Sequence, residues 1–333
     1  MSTSISVDQP AAAWSGRMDG DGAEHARIHT NVKPLAETSL GECDAVFIGF
    51  SSDEGVRRNS GRDGAASGPD ALRTALGSLA LAKAPKSTRV TDLALADAGT
   101  IVVDTDLEDG HRKLAEAVAT AIDAGTLPVV LGGGHEVAFG TYSGVAGSKL
   151  RAHNGKPRTV GILNLDAHFD LRQADRPTSG TPFKQALDAE RAHATNAKYA
   201  VIGISEASNT QVLFDTAQEY GVKYLLDEEC TVSNKEHIET FVRWFIESVD
   251  IVYLTLDLDV LPAANAPGVS APAAYGVQLE IINSIIKQVT RSGKLIAFDI
   301  AELNPSFDID GRTAKTAARL AHTALTHHQP FSA

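Results

Sequence analysis

Cysteine is nearly absent: Cys43 and Cys230 are the two present in 333 residues. So few and so far apart, they make neither a disulfide scaffold nor a thiolate zinc site, and they read as reduced thiols. An excess of positive charge is also missing. The formal charge of −12 offers no general basic face to nucleic acid or an anionic membrane. It leaves an anionic substrate open, because a few local arginines can outvote the global sum. No apolar run approaches the roughly 18 residues of a membrane-spanning helix. The opening MSTSISVDQPAAAW has neither the basic start nor the apolar centre of a signal peptide. These absences predict a cytoplasmic protein that binds neither nucleic acid nor membrane. No internal repeat, low-complexity tract or evident linker breaks the chain, so one domain over 1–333 is expected, with residues 1–40 an arm laid on its body.

What the sequence does contain is alternation. The runs AVFIGF (45–50), LPVVLGG (127–133), TVGILNL (159–165), YAVIGI (199–204), DIVYLTLDL (250–258) and KLIAFDI (294–300) are rich in β-branched residues and bounded by Gly, Pro or Asp. Nearly unbroken apolar runs suit parallel strands covered on both faces. Between them, PDALRTAL opens with Pro69 in a first helical turn, and HRKLAEAVATAIDAG ends on Gly125 in a C-cap position. Residues 235–249 and 313–325 repeat apolar positions every three or four residues. Strands alternating with helices predict an α/β fold, an open, mainly parallel sheet between two helical layers.

In such a sheet, ligands bind at the carboxyl ends of strands, where this sequence keeps its oddest residues. VVLGGGHE ends one strand with His135 and Glu136. GILNLDAHFD ends another with Asp166, His168 and Asp170. YLTLDLDV ends a third with Asp257 and Asp259. On an extended chain, alternate residues share a face, which would gather these side chains in pairs and triples. Four converging carboxylates repel one another unless cations hold them together. Two divalent ions balance four negative charges, and carboxylates with imidazoles but no thiolate favour manganese-like ions. The glycines at 132–134 lack the Lys-Ser/Thr of a phosphate loop and are expected to let backbone approach the metals. His111, His153, His193, His237, His322, His327 and His328 stand in helical or polar context without ligand partners and are set aside.

These segments resemble the three signatures of the arginase, agmatinase and formiminoglutamase family, and the similarity covers most of the chain. The resemblance implies a pair of Mn2+ ions: His135 and Asp170 on one, His168 and Asp259 on the other, Asp166 and Asp257 bridging. DIAELNPSFD resembles a later family motif whose glutamate holds the amidine or guanidine end of the substrate, which implies that role for Glu302. Asp170 is implied as the proton carrier. Where arginases read GGDHS and DIN, this chain reads GGGHE and Asp170-Leu171-Arg172. Ser179 stands on the loop where arginase and agmatinase place a histidine. These departures, with WSGRMD (14–19) and DEGVRRNSGRDGAASGPDALR (53–73), are similar to formiminoglutamases. The implied reaction is hydrolysis of N-formimidoyl-L-glutamate to L-glutamate and formamide by a hydroxide shared between the two ions. That substrate carries two carboxylates beyond its amidine, and Arg172, Arg57, Arg58 and Arg62 are the candidates to bind them. The alternative is an agmatinase or other guanidino-acid ureohydrolase, and a cationic substrate tail such as agmatine's is disfavoured against Arg172. A catalytically silent member would have lost ligands, and all six are present. A symmetric homo-oligomer is also implied by the resemblance.

Overall fold

The computed structural model describes residues 4–81 and 93–331. Its core is one ten-stranded sheet. In chain order the strands are β1 (Gln9–Pro10), β2 (Val32–Pro34), β3 (Ala45–Ser51), β4 (Leu95–Val102), β5 (Leu127–Leu131), β6 (Val160–Leu165), β7 (Ala197–Ile204), β8 (Lys223–Leu226), β9 (Ile251–Asp257) and β10 (Leu295–Ala301). Their order across the sheet is β1-β4-β3-β5-β10-β9-β6-β7-β8, with β2 also on β4. Every pairing is parallel except that of β1 with β4. The sheet is open, not a closed barrel.

Eight longer helices cover it: α1 (Gly68–Gly77), α2 (Leu107–Asp123), α3 (Val137–Gly147), α4 (Pro182–Ala192), α5 (Gln211–Glu219), α6 (Lys235–Glu247), α7 (Leu279–Thr290) and α8 (Arg312–His327). Strand side chains alternate between two cores. Phe47, Leu163, Leu254 and Phe298 pack with α1, α6, α7 and α8. Val46, Ile162, Tyr253 and Ala297 pack with α2, α3, α4 and α5. The result is a three-layer α/β sandwich. The six strand runs and four helices expected from the sequence all form. Among the further elements, α3 is apolar all round and buried, so it carries no amphipathic stripe to read. The segment 179–183, expected as loop, already starts α4 at Pro182.

Part of the arm adds β1 to the sheet edge, and Trp14 stands 5.0 Å from the Phe47 ring, its Nε1 donating to Asp97 Oδ2 at 2.7 Å. Arg73 pairs with the same carboxylate, so β4 can bury an aspartate. No helix among the described residues is long and apolar enough to cross a membrane.

One buried histidine gives a pH prediction. His111 on α2 stacks against Phe50 and meets the edge of Phe139, and its Nε2 donates to the Glu136 carbonyl at 2.8 Å. Burial holds its pKa down at about 4, against 6.5 for an ordinary histidine. Between those values the unfolded chain takes up a proton that the folded chain refuses. Stability therefore falls as pH drops through that window, by up to about 3 kcal/mol at the acid end. His111→Gln keeps a donor for the carbonyl but cannot titrate. Urea midpoints measured from pH 7 to 4 should fall less steeply for the variant. Parallel curves would clear His111 of the effect.

Candidate metal centre

Three strands deliver the six expected side chains to one place at their carboxyl ends. His135 lies in the turn between β5 and α3. Asp166, His168 and Asp170 occupy the bend after β6. Asp257 is the last residue of β9, and Asp259 sits in the 3-10 turn Leu258–Val260 that follows. The extended-strand explanation for their gathering needs correcting. Beyond Asp166 the chain has left the strand, and Asp170 has a left-handed φ of 50°. Tight turns aim these side chains, with Asp257 Oδ1 accepting from Asp259 N at 2.8 Å and Asp166 Oδ1 from His168 N at 2.6 Å.

His135 Nδ1 is the focus. Asp170 Oδ2 lies 2.9 Å from it, Asp257 Oδ2 3.1 Å and Asp166 Oδ2 3.2 Å. None of the three meets the geometry of a hydrogen bond, and Nδ1 is buried without one. Beside this group, His168 Nδ1 lies 3.1 Å from Asp259 Oδ2 and 3.4 Å from Asp166 Oδ1. Asp166 thus belongs to two adjacent ligand groups, one with His135 and Asp257, the other with His168 and Asp259. Donor atoms that stand about 3 Å apart without protons on the lines between them have the edge lengths of an octahedron around a cation with bonds of about 2.1 Å.

The electrostatics agree. With protein groups alone, burial and then the Asp259 and Asp166 charges push the Asp257 carboxyl far above its ordinary range. Burial and Asp166 push Asp170 up to about 6. Burial opposes charge on His135 and His168 too, but Asp257 and Asp259 respectively drive both imidazoles well up. Only Asp166 is held well below a normal aspartate, because the two imidazoles outweigh its burial. A cluster this dry and acidic is stable in its charged form when divalent cations replace those protons. The donor set fits hard or borderline ions such as Mn2+.

The centre forms one end of a cavity of about 300 Å3. Glu302, with φ of 70°, faces it from the turn after β10, and its Oε1 accepts from His135 N at 2.8 Å. Burial, then the nearby Glu136, raises its pKa to about 8. Arg172 and Arg62 line the cavity as well. Gly180 holds the stem of Arg172, since a Cβ there would meet Arg172 Cδ at 2.8 Å, and Arg172 N donates to the Gly180 carbonyl. Arg62 is tied to the Ser270 carbonyl at 2.9 Å and lies over the Phe307 ring at 3.9 Å.

The other two arginines are engaged elsewhere and do not line the cavity. Arg58 is mostly buried between Glu54, Glu108 and the Pro177 carbonyl. Arg57 pairs with Glu54 and Asp63. Glu136, next to His135, is turned to a structural contact. Its Oε1 accepts from Ser52 Oγ and Gly55 N, bracing the neighbouring loop. The three glycines before His135 serve close packing of loops: a Cβ on Gly133 would stand 2.2 Å from the Ser52 carbonyl, and one on Gly132 2.7 Å from the Ile300 carbonyl.

Several participants escape a reading by motif. Asn59, Ser60 and Ser270 line the cavity, and Asn59 Nδ2 donates to Ser179 Oγ at 3.1 Å. Thr255 Oγ1 lies 3.0 Å from His135 Nε2, and Asn164 Nδ2 donates to Asp166 Oδ2 at 2.8 Å. The available signal for the last two is a polar residue inside an apolar strand run.

Comparison with known proteins places this geometry. The Arginase family model matches residues 43–327. The chain is 56% identical over 324 residues to a formimidoylglutamase of Rhodococcus opacus (strain B4), covering 97% of each. It is 53% identical to a formimidoylglutamase of Nocardia farcinica (strain IFM 10152), covering 98% of this chain and 99% of the relative. Among solved structures, it superposes on Trypanosoma cruzi formiminoglutamase with Mn2+ at a TM-score of 0.75 and 27% identity, over 86% of this chain and 93% of that one. Matched along most of its length by the family model and by relatives more than half identical, the chain belongs to the arginase family.

Proposed function

We propose that this protein is a formimidoylglutamase, hydrolysing N-formimidoyl-L-glutamate to L-glutamate and formamide with two Mn2+ ions. One observation carries the reading: a single cavity is lined both by the acidic, ligand-type cluster and by the cationic side chains of Arg172 and Arg62. That polarity matches a substrate with an amidine at one end and two carboxylates at the other. The names of the relatives support the same activity.

In this reading His135 and Asp170 would hold one ion and His168 and Asp259 the other, with Asp166 and Asp257 as the ligands they would share. Bound there, the ions supply hydroxide near neutral pH by lowering the pKa of water. Glu302 holds the amidine: its Oε1 is occupied by the His135 N–H, which leaves Oε2 for a substrate nitrogen. A cationic amidine beside it favours the charged carboxylate against the burial that disfavours it. Hydrolysis would join a water oxygen to the amidine carbon and break the bond from that carbon to the glutamate nitrogen. The remaining water proton must reach that nitrogen, and Asp170, beside both His135 and the cavity, carries it. Ser179, where arginases place a histidine, has no group that titrates near neutral pH and cannot carry a proton as an imidazole would. Arg172 offers a planar fork to a carboxylate. A cytoplasmic homo-oligomer completes the proposal.

The deciding assay measures glutamate release from formimidoylglutamate with Mn2+, before and after chelation, beside urea release from agmatine. Glutamate release that chelation abolishes is expected. Faster urea release from agmatine would overturn the assignment.

A further inference from the structure

Beneath the ligands runs a row of buried polar side chains that the chemistry above does not use. Asn164 on β6 pairs in register with Thr255 on β9, and Thr255 with Asp299 on β10. All three are fully buried. Their strand neighbours Leu163, Leu254, Leu256, Phe298 and Ile300 pack into the opposite core, so the three point toward the α2–α5 layer. One step earlier on that face stand Ile162, Tyr253 and Ala297, which are core. One step later come Asp166, just past the end of β6, and Asp257, the last residue of β9. The face therefore changes from apolar to metal-binding through a single polar row.

A buried polar group without a partner is costly, and each member of this row has a partner that leads to a ligand. If His135 coordinates through Nδ1, its proton must sit on Nε2, 3.0 Å from Thr255 Oγ1. A threonine oxygen that accepts from Nε2 must send its own proton elsewhere. The Asp299 carboxylate, its neighbour across the ladder, is within hydrogen-bonding reach. Asp299 Oδ2 accepts from Tyr253 at 2.5 Å, while Oδ1 is buried without a hydrogen bond of its own. Asn164 plays the matching part for Asp166 and also donates to Tyr199, whose hydroxyl donates to the Phe169 carbonyl between His168 and Asp170.

We propose that Thr255 and Asp299 are positioning residues that fix the tautomer and ring plane of His135, and that through them the interior of the sheet sets the cation affinity of the centre. The proposal rests on the metal reading above. Its distinctive element is an indirect link: the carboxylate reaches the histidine through a threonine hydroxyl. Directionality follows, because every proton in the chain His135, Thr255, Asp299 points away from the cations, leaving Nδ1 as a lone pair toward them.

The test is Mn2+ affinity by competition with a chelator, with thermal unfolding of the metal-free protein measured alongside. Thr255→Val keeps the shape and removes the hydroxyl. It should weaken Mn2+ binding by roughly ten- to a hundredfold, the range for lost outer partners of metal ligands. Thr255→Ser should restore affinity to near wild type. Asp299→Asn, a second probe should the valine variant fold poorly, replaces one of the two acceptor oxygens with an NH2 donor and removes the charge, so Tyr253 and Thr255 compete for the one oxygen left. It should weaken binding roughly tenfold. A hydroxyl that served only packing would lower the unfolding temperature of metal-free protein and leave the Mn2+ affinity unchanged, which would overturn the proposal. Equal losses in the serine and valine variants would do the same. Wild-type protein that takes up no Mn2+ would sink the metal reading itself.

Discussion

Asp257→Ala should abolish Mn2+ uptake and lower hydrolysis roughly a thousandfold or more, about 4 kcal/mol of barrier. The reason lies in where Asp257 stands, within 3.1 Å of His135 Nδ1 and in one ligand group with His135 and Asp166. Its loss removes negative charge from the floor and a donor from the His135 group. The same change should not unfold the metal-free protein. Without a cation, burial and the neighbouring carboxylates push this carboxyl far above its ordinary range, so the metal-free fold gains little from its charge. The two effects are separable by experiment. Metal content by elemental analysis should drop, the unfolding temperature without metal should hold or rise, and the rise on adding Mn2+ should disappear. His168→Ala should behave alike. A variant that keeps two equivalents of Mn2+ would overturn the assignment of Asp257 as a shared ligand.

Arg172→Ala should raise KM for formimidoylglutamate roughly ten- to a hundredfold while leaving metal content intact. A charge-assisted hydrogen bond contributes about 1.5–3 kcal/mol, and a carboxylate can take two from one guanidinium. Arg172→Lys should recover part of the loss, because an ammonium gives charge without the planar fork. Agmatine, with a cationic tail, should bind the alanine variant no worse than wild type. The packing of the Arg172 stem on Gly180 makes the guanidinium's position part of the fold. An unchanged KM would remove Arg172 from the substrate site and leave Arg62 as the cationic side chain lining the cavity.

The two arginines that miss the cavity show where motif reading stops. Arg57 and Arg58 follow directly on a loop that borders the centre, and nothing in the sequence separates them from Arg62. What separates them is partner geometry. Glu54 lies one turn earlier on the same short helix and takes both, and Glu108, from the start of α2, closes on Arg58. The β4 strand, with its Asp97 and Gly99, lacked an unbroken apolar run for a similar reason. Its polar interior is tolerated because Arg73 and Trp14 arrive from elsewhere in the chain.

By itself, the sequence determined the layer architecture and which residue types meet at the strand ends. Both depend on local facts: which residue types cluster within a few positions, and how apolar residues repeat. His135, the run from Asp166 to Asp170, and the pair Asp257 and Asp259 are therefore legible as metal-binding types from local pattern alone. Only the tertiary structure decided which arginines face the cavity, what the glycines before His135 are for, and that Asn164, Thr255 and Asp299 form one row. Those outcomes depend on the order β10-β9-β6 and on a register between strands far apart in the chain. A one-residue slip in that register would turn every such side chain to the other face, and no local pattern records it.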